Sequence, residues 1–440
     1  MSPSPGDVTV VTVNWNGKSH LSTLLPPLLA LEPGEVIVVD NGSTDGSQEF
    51  LRRRYPQVRL LENGVNRGFA QPCNVGAETA QGSCVAFINN DMRPEPEWLA
   101  AALEKLDERT PCVASRILDW EGRRIDYNGS SLHYLGYGLQ EDLGLAVEKA
   151  ERREDVLFPC GGAMLVDREV FLKLGGFDPE YFAIFEDVDL GWRLWLAGYR
   201  VVLAPGSVVR HRGHATLETQ APEKTRYLMH RNALLTIFKN YEEENFRKIL
   251  PLAFVLSVKR AVHFSGVRKE SFYFWSETRH KLDEGDATAR SRLLDSLNHL
   301  VAMDDVLQSL PRLLEKRRSV QALRRRSDRE IVKLFGDPLR RIVDDPGYVK
   351  EELEFLQSFD LGSLLDLGPS AASLDSLPGA LREKIRTLEK EFRGLCWVGS
   401  QAALHPPDPP GPVARFFRTV RREGLRVACL RAFDYVNRAV

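Results

Sequence analysis

Residues 8–45 read VTVVTVNWNGKSHLSTLLPPLLALEPGEVIVVDNGSTD. Val8–Val13 and Val36–Asp40 are short β-branched runs without a polar face, the pattern of strands buried on both sides of a sheet. Between them Ser19–Leu31 has helical spacing, so the stretch predicts a parallel strand–helix–strand unit. Working outward, Val58–Leu61 and Val85–Ile88 continue the series of strands. Ser47–Arg54 reads as a second helix, with Ser43, Thr44 and Asp45 as its caps. The first 210 residues are therefore expected to be α/β, with a mostly parallel sheet. Ligands on such sheets lie beyond the carboxyl ends of the strands. Those ends carry Asn14-Trp15-Asn16, Asp40-Asn41-Gly42-Ser43 and Asn89-Asn90-Asp91, which should converge on one crevice.

The chain has 440 residues, 43% hydrophobic and 27% charged. That composition describes a globular protein with room for two or three domains. Its net charge of −2 is a cancellation: residues 1–220 hold 21 basic and 31 acidic side chains, the remainder 38 and 30. The six cysteines include no CxxC pair, so neither a zinc finger nor a disulfide framework is indicated. The opening MSPSPGD has no basic or apolar leader, and the longest apolar run, Pro251 to Val258, is far short of the roughly 20 residues of a spanning helix. A protein facing the cytosol is expected, one that touches a membrane without crossing it.

From about Glu218 glycine becomes rare and the text turns helical over 223–241, 243–263, 268–284, 287–310 and 312–335. Two more helices are read at 347–358 and 379–392. Four segments are expected: a catalytic α/β domain over 1–218, a helical domain over 219–405, a stiff proline-rich linker over 406–412 and a basic helix over 413–440. Lys316-Arg317-Arg318 and Arg324-Arg325-Arg326 read as solvated helix faces.

Asp40, at a strand end before Asn-Gly-Ser-Thr-Asp-Gly, suits a nucleobase imide or ribose hydroxyl and equally a turn capping the next helix. No GxGxxG follows the first strand and no GxxxxGK[ST] occurs, which weakens dinucleotide and P-loop readings. Asp91 suits either a turn or a hard divalent cation that takes its other ligands from phosphates and water. Cys160-Gly161-Gly162 precedes a strand-like run. Glu186, Asp187 and Asp189 then open a helix, either as first-turn acids or as a general base with a partner that positions it. After the strand Val201–Leu203, His211 lies between Arg210 and Arg212, placed to face a diphosphate or a metal, or to serve structure alone.

Taken in order, VTVNWN, DNGSTDGS, NRGFA (66–70), FINND, CGGAMLV, GGFDPEYFAIFEDVDLGWRLWLAGY, VVRH and RYLMHRN (226–232) resemble family 2 of the inverting glycosyltransferases, in its bacterial rhamnosyltransferase-like branch, over about residues 7–260. The resemblance implies the GT-A fold, a Rossmann-like mixed sheet, followed by a mainly helical region. It implies that Asp40, with Val13, Asn14 and Asn16, holds the nucleotide, that Asn66, Arg67 and Gly68 line its pocket, and that Gly161 and Gly162 pass close to the donor sugar. Asn89-Asn90-Asp91 stands at the family's DxD. Its first Asp is Asn89 here, which leaves Asp91 and His211, with phosphate oxygens and water, to hold Mg2+ or Mn2+. Asp187, paired with Glu186, matches the catalytic base. No Gln-x-x-Arg-Trp motif occurs, so a single addition is expected rather than processive synthesis.

The function implied is transfer of a sugar, rhamnose favoured, from a dTDP- or UDP-sugar to a glycan or polyprenyl-linked acceptor in bacterial surface polysaccharide and cell-envelope synthesis. The rival readings are a sugar-1-phosphate nucleotidyltransferase, which would carry a glycine-rich loop after the first strand, and an inactive carbohydrate-binding relative, which the intact acids argue against. In 413–440, arginines alternate with Phe416, Phe417, Val420, Val427, Leu430 and Phe433. Such a basic amphipathic helix lies on anionic lipid at the inner membrane face or docks on the protein. No nucleic-acid motif accompanies the arginines.

Overall fold

The structure is a computed structural model that describes residues 3–213, 222–265 and 287–340, with 342, 348 and 352. In chain order the principal elements begin with β1 (Val8–Asn14), α1 (Lys18–Leu29), β2 (Glu35–Asp40), α2 (Ser47–Arg54), β3 (Arg59–Glu62), α3 (Ala70–Thr79) and β4 (Cys84–Ile88). They continue with β5 (Met92–Pro94), α4 (Trp98–Leu103), β6 (Cys112–Asp119), β7 (Ile125–Tyr127), β8 (Ser130–Leu132), β9 (Gly138–Gln140), β10 (Ala163–Asp167), α5 (Arg168–Lys173), α6 (Glu186–Leu196) and β11 (Val201–His211). Five helices follow: α7 (Pro222–Asn240), α8 (Glu243–Ser265), α9 (Ala287–Gln308), α10 (Leu310–Ala322) and α11 (Asp328–Ile331). The expected strands at 8–13, 36–40, 58–61 and 85–88 all form, within one or two residues. The side chains of β1, β2 and β4 are largely buried because helices cover both faces: Val10, Ile37, Val38 and Phe87 have no exposed surface; at the edge, β3 leaves Arg59 and Glu62 exposed.

Among the described residues one nine-stranded sheet has the order β3-β2-β1-β4-β10-β6-β11-β5, with β7 paired to β6. The strands β3, β2, β1 and β4 are parallel. Then β10 runs antiparallel between β4 and β6, β11 is parallel to β6, and β5 is antiparallel to β11. This mixture positions the site. Pairing Ala163 with Ile88 brings the start of β10 to the end of β4, and pairing His211 with Met92 returns β11 to the same edge. Strand polarity could not be read from the sequence, because hydrophobic runs look the same in either direction.

The chain divides into two compact units, Met1–Asn240 with Arg260–Pro338, and Tyr241–Lys259 with Leu339–Val440. Helices α7, α9 and α10, read from the sequence as part of a helical region beginning at 219, belong to the first. Of the second, the described part is chiefly the middle of α8, where Phe246, Ile249, Leu250, Leu252 and Leu256 are buried. The helices expected over 268–284, 347–358 and 379–392, the linker at 406–412 and the basic helix of 413–440 lie outside the described residues. No helix among the described residues is long and apolar enough to cross a membrane.

Two expectations are corrected. The single helix over 312–335 is broken: α10 stops at Ala322, and Ser327 opens α11 with a capping box to Glu330. The basic triplets are in large part tethers rather than solvated faces, with the side chains of Arg318 and Arg325 alone exposed among the six. Arg317, buried, donates to the Phe238 carbonyl at 2.9 Å, and Lys316 pairs with Asp178 at 2.5 Å and Glu180 at 2.7 Å. Arg324 bonds the Asn240 carbonyl, the Arg325 N–H donates to the Leu196 carbonyl at 2.7 Å, and Arg326 donates to the carbonyls of Tyr199 at 2.7 Å and Gly198 at 2.9 Å. Leu196 is the last residue of α6, and Gly198 and Tyr199 follow just after it, where the helix has no N–H groups of its own left to meet these carbonyls.

Candidate active site

The ends of β1, β2 and β4 meet through one amide. Asn14, fully buried, donates to Asp40 Oδ2 at 2.9 Å and Ser43 Oγ at 3.1 Å, and its own oxygen accepts from Asn90 Nδ2 at 3.0 Å. Asp40 Oδ1 takes three further donors: the N–H of Gly42 at 3.1 Å, of Ser43 at 2.9 Å, and Gln48 Nε2 at 2.8 Å. A carboxylate has about four acceptor positions, so the chain itself fills this one and Asp40 shapes the 41–48 loop. Asn16, at a left-handed φ of 51°, accepts the Thr44 N–H at 2.7 Å and faces the same loop. The three clusters do converge, and Val13 leads into them with its neighbour Asn14 in register with Asp40.

The segment Asn66–Ala70 lies alongside. Asn63 donates to the Asn41 side chain at 2.9 Å, and Asn41 donates to the Gly68 carbonyl at 2.7 Å. Asn66 Oδ1 accepts the Gly68 N–H at 2.9 Å, and the Arg67 side chain is exposed. Gly68 has φ +80°, and a Cβ there would stand 2.2 Å from the Phe182 carbonyl oxygen. That same oxygen accepts the N–H groups of Phe69 at 2.6 Å and Ala70 at 3.2 Å. The 66–70 loop is thus bonded to the turn before α6.

That turn is strained. Phe182, Ile184 and Phe185 have φ of 62°, 73° and 68°. Such conformations cost roughly 1–3 kcal/mol per residue, most for a β-branched side chain such as Ile184. External bonds hold them: Asn232 of α7, fully buried, points its amide nitrogen at the carbonyls of Tyr181 (3.0 Å), Ala183 (2.9 Å) and Ile184 (2.6 Å). The turn delivers Asp187 to the glycine pair. Its Oδ2 accepts the Gly161 N–H at 2.8 Å, and its Oδ1 the Val188 N–H at 2.8 Å. Burial pushes Asp187 up to about 6 against those two hydrogen bonds. Burial, then the Asp187 charge, push Glu186 well above the usual carboxylate range. Glu186 Oε2 is buried without a hydrogen bond. In such a pair one carboxyl keeps its proton while the other can take one at neutral pH. Asp189 plays a different part. Burial raises its carboxyl, but Arg193 at 2.8 Å and Lys239 at 2.8 Å outweigh that and hold it low, as a structural charge.

Gly162 closes the circle. Its carbonyl accepts the Asn89 N–H at 2.9 Å, and a Cβ on it would meet the Asn89 amide nitrogen at 2.6 Å. Two residues on, Asp91 is buried, with Oδ2 3.4 Å from His211 Nε2 and Oδ1 without a hydrogen bond. The His211 Nδ1 donates to Asp126 Oδ2 at 2.5 Å. Burial lowers the imidazole, yet its bonds to Asp126 and Asp91 prevail and raise it to about 9.

The family model described as "Glycosyl transferase family 2" matches residues 9–175. N-acetylglucosaminyl-diphospho-decaprenol L-rhamnosyltransferase of Mycobacterium tuberculosis is 32% identical over 235 residues, 47% of this chain and 76% of that protein. The chain belongs to glycosyltransferase family 2. A second relative, the pre-mycofactocin glycosyltransferase of the same organism, is 31% identical over 51% of this chain, which spans about half of that protein's length. Among solved structures it is similar to Staphylococcus aureus TarS 1–349 in complex with UDP, with TM-score 0.42 and 17% identity over 81% of this chain and 90% of that one.

In this glycosyltransferase the mixed GT-A sheet, with its helical continuation, carries the candidate site residues on seven separate segments. The family implies a divalent metal, and the residues fit one. Asp91 Oδ1 is a buried carboxylate oxygen with no bond of its own, and His211 beside it is oriented by Asp126, the usual arrangement behind a metal-bound imidazole. No group of three or more His, Cys, Asp and Glu among the described residues is arranged to hold a metal ion by itself. Phosphate and water would therefore complete the shell, as hard cations allow. Sequence reasoning missed Gln48, Asp126, Phe182 and Asn232 of the glycosyltransferase. Only Asn232 carried a readable signal: an asparagine inside a 19-residue helix, where its side chain competes with the backbone, needs an outside partner.

Proposed function

We propose that this glycosyltransferase catalyses a single, inverting transfer of a sugar, rhamnose in the first instance, from a nucleoside-diphosphate donor to a hydroxyl of a polyprenyl-diphosphate-linked or glycan acceptor in the synthesis of a bacterial surface polysaccharide. The observation that carries this reading is Asp187: a half-buried carboxyl raised to about 6, anchored on the Gly161 N–H, on the same circuit of bonds as the Asn66–Ala70 loop and Asn89-Asn90-Asp91. A base poised near neutrality is what removing a hydroxyl proton requires. Asp187 takes that proton as the acceptor oxygen attacks the anomeric carbon. The bond to the diphosphate breaks on the opposite face, so the configuration inverts with no covalent enzyme intermediate.

In this reading Val13, Asn14 and Asn16, with the loop that Asp40 shapes, meet the base and ribose. Asn66, exposed Arg67 and Gly68 flank the phosphates, and Asn89, Asn90, Gly161 and Gly162 line the sugar. Mg2+ or Mn2+ held by Asp91 and His211 would supply positive charge to the departing diphosphate. Glu186, kept protonated by its surroundings, limits the negative charge beside the base. The acceptor class is supported by the relative whose name specifies a diphospho-decaprenol. It fits a protein at the inner membrane face, with the arginine-rich 413–440 segment resting on anionic lipid.

The test is turnover of dTDP-rhamnose and a panel of UDP-sugars with Mg2+ or Mn2+, using a synthetic N-acetylglucosaminyl-diphospho-polyprenol and reading the anomeric configuration by NMR. Release of nucleoside diphosphate with an inverted linkage is the expected result. A retained linkage, or release of inorganic diphosphate from a nucleoside triphosphate, would sink the proposal.

A further inference from the structure

We infer that Asn232 is a positioning residue for sugar transfer: its buried amide holds the Tyr181–Ile184 turn in the conformation that sets Asp187 against Gly161. The inference rests on the reading of Asp187 as base and extends it to a helix beyond the residues that the family model matches.

The turn has one short bond of its own, from the Ala183 N–H to the Tyr181 carbonyl at 2.7 Å, set against a costly backbone. Three residues in a row of four have left-handed φ, and among them Phe182 and Ile184 are types that avoid it. With Phe182 O occupied by the 66–70 loop, the carbonyls that remain on the turn are those of Ala183 and Ile184, while Tyr181 O, just before it, also accepts the Ala183 N–H at 2.7 Å. Asn232 alone on α7 reaches all three. Its amide has two hydrogens, so at least one bond is shared, and the nitrogen sits at the centre of the turn rather than on one side of it. Ile184 and Glu186 are two residues apart, so any relaxation at Ile184 moves the start of α6, and with it the carboxylate of Asp187.

Its neighbours have a different task. Arg231 bonds the Glu180 carbonyl at 2.6 Å and pairs with Asp305 of α9. Thr236 shares a hydrogen bond with the Tyr181 hydroxyl at 2.9 Å, and Lys239 and Asn240 reach Asp189 at 2.8 and 3.0 Å. These contacts dock α7 on both flanks of the turn without touching Ala183 or Ile184. Losing the Asn232 amide therefore leaves these contacts to dock the helix; Asn232→Ala also removes the acceptor that Asn232 Oδ1 offers Arg231 Nη1 at 3.1 Å, which Asn232→Asp keeps.

The experiment uses the full chain with Asn232→Ala and the isosteric Asn232→Asp, which keeps the volume but cannot donate. With dTDP-rhamnose as donor, kcat is expected to fall about 100-fold, the loss typical of a displacement near 1 Å. The KM for donor, and the calorimetric Kd for dTDP, should stay within about threefold. Amide hydrogen exchange at 183–188 should accelerate at least about tenfold, with β1 unchanged. Wild-type kcat, a loss confined to KM, or exchange rising equally throughout the chain would overturn the inference. Should the wild-type protein transfer no sugar from any donor, it is the reading of function that fails. The exchange measurement then decides alone, and unchanged protection at 183–188 in both variants overturns the role of Asn232.

Discussion

The carbonyl oxygen of Phe182 accepts the backbone N–H of Phe69 at 2.6 Å. One peptide group thereby joins the loop proposed to flank the donor phosphates to the turn that delivers the proposed base. Gly68 has to be glycine for that contact to exist. In Gly68→Ala the new Cβ would stand 2.2 Å from the same oxygen at a φ of +80°, so the turn must retreat. A loss of stability of roughly 1–2 kcal/mol from the backbone conformation alone is expected, with a fall in turnover of at least about tenfold. Urea unfolding and initial rates check both, and wild-type values would show that the contact is dispensable.

Transfer should follow the ionisation of Asp187. The base acts only when deprotonated, and its carboxyl is raised to about 6. The rate at saturating substrate is therefore expected to rise tenfold per pH unit below about 6 and to level off above it. A kcat profile from pH 4.5 to 8.5 measures this. A flat acidic limb would remove Asp187 from the role.

Asp187→Asn is expected to abolish transfer, by at least about a thousandfold, while dTDP still binds. The same change should stabilise the protein at pH 8. A folded-state value raised from 3.8 to about 6 means that the ionised form is disfavoured by folding. The penalty is absent below about pH 4, grows between 4 and 6, and is complete above 6, at about 3 kcal/mol by linkage. A gain of roughly 1–3 kcal/mol at pH 8 that disappears by pH 4 is the expected outcome of unfolding followed against pH in a chelator.

Asp91→Asn and His211→Ala should each remove the metal-dependent part of nucleotide binding. Calorimetry of dTDP with and without Mn2+ is expected to show about tenfold tightening by the ion in the wild type and less than twofold in either variant. Equal tightening in all three proteins would place the ion elsewhere.

Lys239→Met tests the charges beneath the turn. Lys239 is buried between Asp178 at 2.7 Å and Asp189 at 2.8 Å. Burial raises both carboxyls, but their cationic partners win and hold both below 3.8. Groups held low stabilise the fold above their unfolded value and lose that contribution as pH falls. Removing the lysine should cost about 3 kcal/mol at pH 7, and distinctly less below pH 4. An undiminished loss at low pH would mean that packing of the lysine stem, not its charge, matters.

The parts of this molecule legible in its sequence are those governed by local pattern. Strands such as VTVVTV and EVIVVD announce themselves because burial on both faces selects short runs dominated by β-branched residues, and strand ends locate a crevice by topology alone. What escaped depends on partners far along the chain. Asn232 bonds residues about 50 positions earlier, and Arg324–Arg326 satisfy carbonyls about 130 positions away or fewer, with no periodicity to betray either. Asp40 escaped for another reason. Its type and position suggested an acceptor for ligand, yet Gln48, Asn14 and the N–H groups of Gly42 and Ser43 fill its oxygens, a matter of side-chain geometry that spacing does not encode.

The guanidinium of Arg326 satisfies the carbonyls of Gly198 and Tyr199, just past the end of the helix that bears Asp187. It follows that a splice near residue 218 suits hybrids between this protein and its relatives poorly. A recombinant joined there would keep every motif of the α/β region and still lack Asn232 and Arg326, which bond the turn before α6 and the segment just after it. Exchanging 241–259 together with everything after 338 would instead replace the second unit alone and leave α6 with its partners.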